Sequence, residues 1–264
     1  MEASRNTHSS KFFGTDGITV RFGGLTALKD VSIGVGENEI RGLIGPNGAG
    51  KTTFFNVVTS YIPADSGDIF FQGESISHFK PNEIAERGII RTFQRRGILP
   101  DLTALENVMT GCHRLMGDVR LWDICFRSKR YKLEEAEAIR RAKEALESVG
   151  ILDIAEKGAE DLAFGQQTLV EIARSLVSNP KLLLLDEPAA GLSPSEREHL
   201  MGVLRMIASE RGISLIIADH VMEFVMEICD NLTVLNFGEV LAEGSPTHIR
   251  QHKGVLEAYL GGGG

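Results

Sequence analysis

The chain is poor in cysteine: three in 264 residues, at Cys112, Cys125 and Cys229, with no C-x-x-C pair among them. That excludes a disulfide frame and a thiolate zinc site and leaves ordinary thiols of a reducing compartment. No apolar run approaches the length that crosses a bilayer. The opening Met1 to Ser10 is polar and has no hydrophobic segment of the kind that marks a secretory signal. Basic charge is in deficit, with 28 Lys and Arg against 36 Asp and Glu and a formal net charge of −8, which weighs against a surface built to wrap nucleic acid. Internal repeats and sustained heptads are missing as well. These absences predict a soluble cytoplasmic chain that reaches a membrane only through a partner. What is present, 42% hydrophobic residues over this length, suffices for one large α/β domain with or without a small subdomain. Residues 1–16 are expected to be a flexible lead, 17–264 the domain, and the glycines 261–264 a flexible tail.

The densest information lies at Gly45-Pro46-Asn47-Gly48-Ala49-Gly50-Lys51-Thr52-Thr53, which fits G-x-x-x-x-G-K-[ST]. Gly45, Gly48 and Gly50 let the backbone turn tightly and aim its N–H groups at an anion. Lys51 supplies a mobile ammonium for the outer phosphates, and the Thr52 hydroxyl is placed to ligate Mg2+. The context agrees: Glu39 to Ile44 is an apolar strand, and Thr52 to Thr59 begins a helix whose N-terminal dipole faces the phosphates.

Strand patterns open the chain at Ile18 to Phe22, Val31 to Val35, Glu39 to Ile44 and Asp68 to Phe71. Leu133 to Val149 carries apolar residues at helical spacing, with a charged, solvated opposite face. From Phe164 onward helix and strand alternate. Helices are expected at Gln166 to Val177, Ser195 to Ser209 and Val221 to Ile228, and strands at Lys181 to Asp186, Ile213 to Ala218 and Leu232 to Leu235. Such alternation predicts a mainly parallel sheet with helices on its faces. The stretch from about 100 to 163 interrupts it and reads as an inserted helical subdomain.

The strand Lys181 to Asp186 continues into Glu187 and Pro188. An apolar strand of this kind sits centrally, and its carboxyl end is where α/β sheets place ligands. Asp186 there would hold Mg2+, directly or through water, and Glu187 would face the terminal phosphate and polarise a water. Together with the loop at 45–52 the two acids complete one Mg-nucleotide site.

On these residues the chain resembles the nucleotide-binding subunits of ATP-binding-cassette (ABC) transporters, over about Ile18 to Gly262. Leu162-Ala163-Phe164-Gly165-Gln166-Gln167 is similar to the family's signature motif and Thr92-Phe93-Gln94 to its Q-loop. Gly191-Leu192-Ser193-Pro194 is similar to the D-loop, and His220 to the switch histidine. Phe22 stands at the position of the aromatic that stacks on adenine. A finer resemblance, to subunits that energise uptake of branched-chain and other hydrophobic amino acids, rests on several segments. These are Phe22 to Leu28, Arg91 to Gln94, Leu105 to Val108, Asp186 to Leu192 and Glu257 to Gly261.

The resemblance implies a P-loop NTPase fold of the ABC type: a mainly parallel core sheet, an N-terminal antiparallel β-subdomain and an inserted helical subdomain. It implies ATP and Mg2+ as cofactors and ATP hydrolysis as the activity. ATP would lie between two cassettes arranged head to tail, the phosphate loop of one facing Ala163, Gly165 and Gln166 of the other. The second cassette is a copy or a paralogue. Membrane permease subunits, and indirectly a substrate-binding protein, complete the expected set of partners at the inner face of the membrane; nucleic acid is not among them. Lys51 would contact the β- and γ-phosphates, Glu187 act as base, His220 touch the γ-phosphate and attacking water, and Gln94 sense the metal. Two departures stand out. Ala163 occupies a position where many members carry Ser, and so lacks a donor worth about 0.5–1.5 kcal/mol. Asp219-His220-Val221 differs from the commoner Glu-His-Asp order.

Transport direction stays open at this point, since some lipid and lipopolysaccharide exporters use similar ATPase subunits. Gly97, Ile98 and Leu99 are read either as contacts for a permease coupling helix or as local packing. A chromosomal, ribosomal or repair ATPase is a different class. It is disfavoured by the single cassette, the acidic balance and the missing heptads. A nucleotide-binding pseudo-ATPase is disfavoured because Lys51, Asp186, Glu187 and His220 are all present.

Overall fold

In the computed structural model, residues 12–92, 97–114 and 129–260 are described. They divide into two compact units, one of residues 1–91, 181–190 and 204–264, the other of 92–180 and 191–203.

The first unit holds two sheets. Strand β1 (Phe13–Phe22) pairs antiparallel with β2 (Leu25–Val31), β3 (Gly34–Val35) and β5 (Ser66–Phe71), and β6 (Glu74–Ser75) closes this five-stranded sheet beside β5. The single strand expected at Val31 to Val35 is a correction. Val31 ends β2 and Gly34–Val35 starts a new pairing with β1, because Thr15 donates its N–H to the Ile33 carbonyl (2.8 Å) and its hydroxyl accepts from the Ile33 N–H (2.9 Å). The two segments pair separately with β1 around that junction.

The second sheet runs β11-β10-β4-β9-β8-β7, with β4 (Ile40–Ile44), β7 (Ile89–Arg91), β8 (Leu182–Asp186), β9 (Ser214–Ala218) and β10 (Asn231–Asn236) all parallel. Only β11 (Glu239–Gly244) returns antiparallel, as a hairpin from β10. Every residue of β4, β8 and β9 is buried, as expected of central parallel strands covered on both faces. Helix α1 (Lys51–Val58) packs Phe54, Phe55, Val57 and Val58 into one core cluster with Phe13, Ile18 and Leu28 of the first sheet and Leu182, Leu184 and Ile216 of the second. This fixes the start of α1 over the parallel strands. Helix α2 (Pro81–Glu86) precedes β7.

The helical unit contains α3 (Ala104–Met109), α4 (Lys129–Ser148) and α5 (Phe164–Leu176). Helix α3 starts with a reciprocal cap: the Glu106 N–H donates to the Thr103 hydroxyl (3.1 Å) and the Thr103 N–H to the Glu106 carboxylate (2.8 Å). Asn107, fully buried, accepts from the Leu99 N–H and donates to the Leu99 and Thr103 carbonyls, which shapes the loop before that helix. Helix α4 turns Ala138, Ala142, Ala145 and Leu146 inward. Helix α6 (Pro194–Arg211) follows β8, α7 (Met222–Ile228) follows β9, and α8 (Pro246–Gln251) and α9 (Lys253–Leu260) close the described chain. Cys112 and Cys229 are buried thiols, and burial pushes both up from the ordinary thiol range. Cys125 lies outside the described residues. Among the described residues no helix is long and apolar enough to cross a membrane.

Candidate active site

Three neighbouring strands end level with one another. Leu43 of β4 pairs with Ala218 of β9, and Ala218 pairs with Asp186 of β8. The loops that leave these ends begin at Gly45, Glu187 and Asp219, so chain topology alone gathers the segments at 45–52, 186–187 and 219–220 at one edge of the sheet.

The first loop wraps over the start of α1. The Phe54 N–H bonds the Gly50 carbonyl (2.8 Å), so the helix begins at Lys51. Gly50 has φ 107°, and a Cβ there would lie 2.8 Å from the Ala27 carbonyl oxygen. The hairpin between β10 and β11 supports the loop from behind, the Gly238 N–H donating to the Ala49 carbonyl (3.1 Å). Gly50→Ala is accordingly expected to destabilise the fold by about 1–3 kcal/mol through strain at this backbone conformation. A denaturant midpoint equal to that of the parent would contradict it.

Lys51 donates from Nζ to the Gly45 carbonyl (2.6 Å) and the Pro46 carbonyl (3.1 Å). Burial holds its ammonium below the usual lysine range, against the pull of Glu187, Asp186 and Asp219. Thr52 is exposed, Thr53 half-buried, and Asn47 and Gly48 are exposed at the loop crest. Among the described residues no side chain caps the start of α1 and no acid stands in its first turn. Its leading amides are therefore not spent on a carboxylate, which fits a triphosphate. The hydroxyl of Thr52 and the carboxylate of Asp186 are hard oxygen donors, the set that fits Mg2+ shared with phosphate and water.

Asp186 ends β8 nearly buried, and Oδ2 accepts from Arg91 Nη2 at 2.8 Å. Burial raises this carboxyl above the usual range, and the guanidinium partly offsets that. Glu187 adopts φ 52°, an uncommon left-handed conformation for a non-glycine residue. Its N–H bonds the Ala218 carbonyl (2.7 Å), and its carbonyl accepts from the Ala190 N–H (3.2 Å). This bend turns the chain immediately after Asp186 and leaves the Glu187 side chain 29% exposed. His220 Nδ1 lies 3.7 Å from Glu187 Oε1.

Asp219 organises that pairing. It is fully buried, and Oδ1 accepts from the N–H groups of His220 (2.7 Å) and Val221 (2.9 Å) while Oδ2 accepts from the Ala189 N–H (2.8 Å). One carboxylate thus ties the loop carrying His220 to the loop carrying Glu187. The unusual Asp before the histidine thus has a structural use, the bond between the two loops.

Phe22 ends β1 at the tip of the β1–β2 hairpin, opposite Leu25, with half its surface exposed. Gln94 and Phe93 lie outside the described residues.

The signature segment belongs to the helical unit. Helix α5 starts at Phe164, two residues before the expected Gln166. The Gln166 side chain accepts from the Ala163 N–H (3.1 Å), while Ala163 has no hydroxyl to return the bond. The Gly165 N–H points to Glu196 Oε1 (3.3 Å), and a Cβ on Gly165 would stand 2.7 Å from that oxygen. Glu196 also accepts from the Ser193 N–H (2.8 Å) and hydroxyl (2.7 Å), and these bonds lower its carboxyl below the usual range. It therefore joins the segment 191–194 to the signature helix. Sequence reading gave no part to Glu196 or to Asn56, whose side-chain oxygen accepts from Arg91 (2.6 Å), and it named Arg91 and Asp219 without a role for either. Arg91 could have been noticed as a lone cation in Ile89-Ile90-Arg91-Thr92.

A phosphate loop, an acid pair and a histidine at adjacent parallel strand ends, with an N-terminal antiparallel sheet and a helical unit, define a P-loop ATPase of the cassette type. The family model described as ABC transporter matches residues 28–190, and the chain belongs to the ABC transporter family. Residues 239–264 match a second model, that of a branched-chain amino acid ATP-binding cassette transporter. The chain is 40% identical over 245 residues to the high-affinity branched-chain amino acid transport ATP-binding protein BraF of Pseudomonas aeruginosa, covering 93% of this chain and 96% of that one. Among solved structures it is similar to an ATP-binding cassette of an ABC transporter in its ADP conformation (TM-score 0.83, 32% identity, 95% and 99% of the two chains). It is also similar to a dimeric post-hydrolysis cassette bound to ADP and Pi (TM-score 0.73, 26% identity, 89% and 98%).

Proposed function

We propose that the chain is the ATP-hydrolysing subunit of an ABC importer for branched-chain and other hydrophobic amino acids. It works at the inner face of the cell membrane as one of two cassettes bound to permease subunits, with a substrate-binding protein delivering the cargo. The observation that carries the ATPase reading is the convergence of Lys51, Asp186, Glu187 and His220 at the ends of β4, β8 and β9. Import of amino acids is supported by the match over 239–264 and by the likeness to BraF, which favour it over lipid export.

Lys51 would exchange the carbonyls of Gly45 and Pro46 for β- and γ-phosphate oxygens, and the N–H groups of residues 47–53 would close around the same phosphates, with Gly45 and Pro46 shaping the turn. Phe22, already exposed, would cover the adenine. Thr52 and Asp186 would hold Mg2+, which supplies charge neutralisation at the β- and γ-oxygens. Glu187 would take a proton from water as the water oxygen bonds the γ-phosphorus and the bond to the β-phosphate oxygen breaks. His220, 3.7 Å from Glu187, would orient that water and donate to the γ-phosphate. Gln94 would report the state of the site to the permease. The signature residues Ala163, Gly165 and Gln166 would meet nucleotide held by the second cassette, an arrangement suggested by the dimeric relative. Affinity purification from solubilised membranes tests the reading. An amino-acid permease pair should co-purify, and a lipid-export permease would overturn the import half.

Ala163→Ser supplies the missing half of the α5 cap and a donor for the partner's γ-phosphate. Expected are a gain of about 1 kcal/mol in unfolding free energy and a faster ATPase in the assembled transporter. No change in either would show that the missing hydroxyl does not limit the site.

A further inference from the structure

Arg91 is the last residue of β7, and a buried guanidinium in a short apolar strand calls for a use. Its side chain is 8% exposed and the Asp186 carboxylate that it meets 3%. Nη2 donates to Asp186 Oδ2 (2.8 Å) and Nη1 to Asn56 Oδ1 (2.6 Å), while the guanidinium carbon lies 5.4 Å from the centre of the Phe55 ring. Among the described residues Nε has no hydrogen-bond partner. The fork is therefore aimed by its two terminal nitrogens and by the ring.

Those anchors belong to different parts of the site. Asp186 ends β8, which runs beside β7 in the register Arg91 opposite Leu184. Asn56 and Phe55 lie on α1, one turn beyond Lys51 and Thr52. A buried ion pair is weak support for stability, since well-packed apolar residues commonly serve as well. A planar fork supplies something that packing does not, a fixed rotation of the carboxylate it grips. We propose that Arg91 is a positioning residue of the phosphate site. It sets the rotation and reach of the Asp186 carboxylate and, through Asn56, holds that carboxylate in register with the Lys51–Thr52 turn. The inference rests on the reading of Asp186 as the acid that meets the metal-nucleotide.

Arg91→Met, Arg91→Lys and Asn56→Ala in the full chain test it with two readouts. These are ATP affinity by calorimetry, in EDTA and in Mg2+, and the Mg2+ concentration that gives half-maximal ATPase. Outer partners of metal ligands typically carry about 10–100-fold of metal affinity. Arg91→Met should leave ATP affinity in EDTA near the parent value and raise the Mg2+ requirement by about 10-fold or more. Arg91→Lys, a point charge without the fork, should recover only part of this, and Asn56→Ala should shift the requirement in the same direction by less. An unchanged Mg2+ requirement in folded Arg91→Met overturns the proposal. So does a loss of affinity that is equal in EDTA and Mg2+, or full rescue by Lys. If Arg91→Met fails to fold, Asn56→Ala decides, and a parental Mg2+ requirement there overturns it. A parent chain whose ATP binding ignores Mg2+ would instead remove the reading of Asp186, and this inference with it.

Discussion

Glu187→Gln is expected to lower ATP turnover by about 10²–10⁴-fold, the range carried by a positioned general base, while ATP still binds. The amide keeps the size of the carboxylate and its place at the left-handed bend, where the backbone is held by Ala218 and Ala190 rather than by the side chain. Lys51, Asp186 and the His220 loop should be undisturbed, because Asp219 and not Glu187 holds that loop. What disappears is a group able to take the proton of the attacking water. With hydrolysis blocked and binding intact, the ATP-joined pair of cassettes should accumulate, visible as a doubling of mass by light scattering when Mg2+ and ATP are present. A variant that hydrolyses ATP at the parental rate would remove Glu187 from its assigned position.

Lys51→Ala should act on binding. Around Nζ stand Glu187, Asp186 and Asp219, and of these Asp186 is also paired with Arg91. Removing the ammonium leaves an acid-rich edge facing a polyanion, so attraction is lost and repulsion exposed together. A fall in ATP affinity of about 100-fold, about 2.7 kcal/mol, is expected. The fold should be spared. Among the described residues Nζ bonds the Gly45 and Pro46 carbonyls of its own loop and nothing else, and α1 is fixed by Phe54 and Phe55 in the core. The check is calorimetry beside a thermal melt. Parental affinity, or a chain that no longer folds, would contradict this account of the lysine.

The parts of the site readable in the chain were those carried by local pattern. The glycine spacing of 45–50 announces an anion-binding turn, and the uninterrupted apolar residues of 182–185 announce a strand buried on both faces. The first sheet was harder. Its strand β2 is half exposed and contains Lys29 and Asp30, so it lacks the apolar run that exposes a central strand. The Val31–Ile33–Val35 alternation then suggested one strand where the structure has two pairings. Helix α5 begins at Phe164, an exposed aromatic that gives no start signal of its own. The roles of Arg91 and Asp219 were illegible for a different reason. A buried charge makes sense only beside its partners; those of Arg91 are 95 and 35 residues away in sequence, and the loop that Asp219 ties to its own is 30 residues away.

Titration of ATP with Mg2+ into the purified chain, followed by calorimetry, tests the central claim most directly. The account predicts saturable binding that weakens in EDTA and falls by about 100-fold in Lys51→Ala. Binding of equal strength in the parent and Lys51→Ala, or no binding in the parent, would contradict the claim that the ends of β4, β8 and β9 form one nucleotide site.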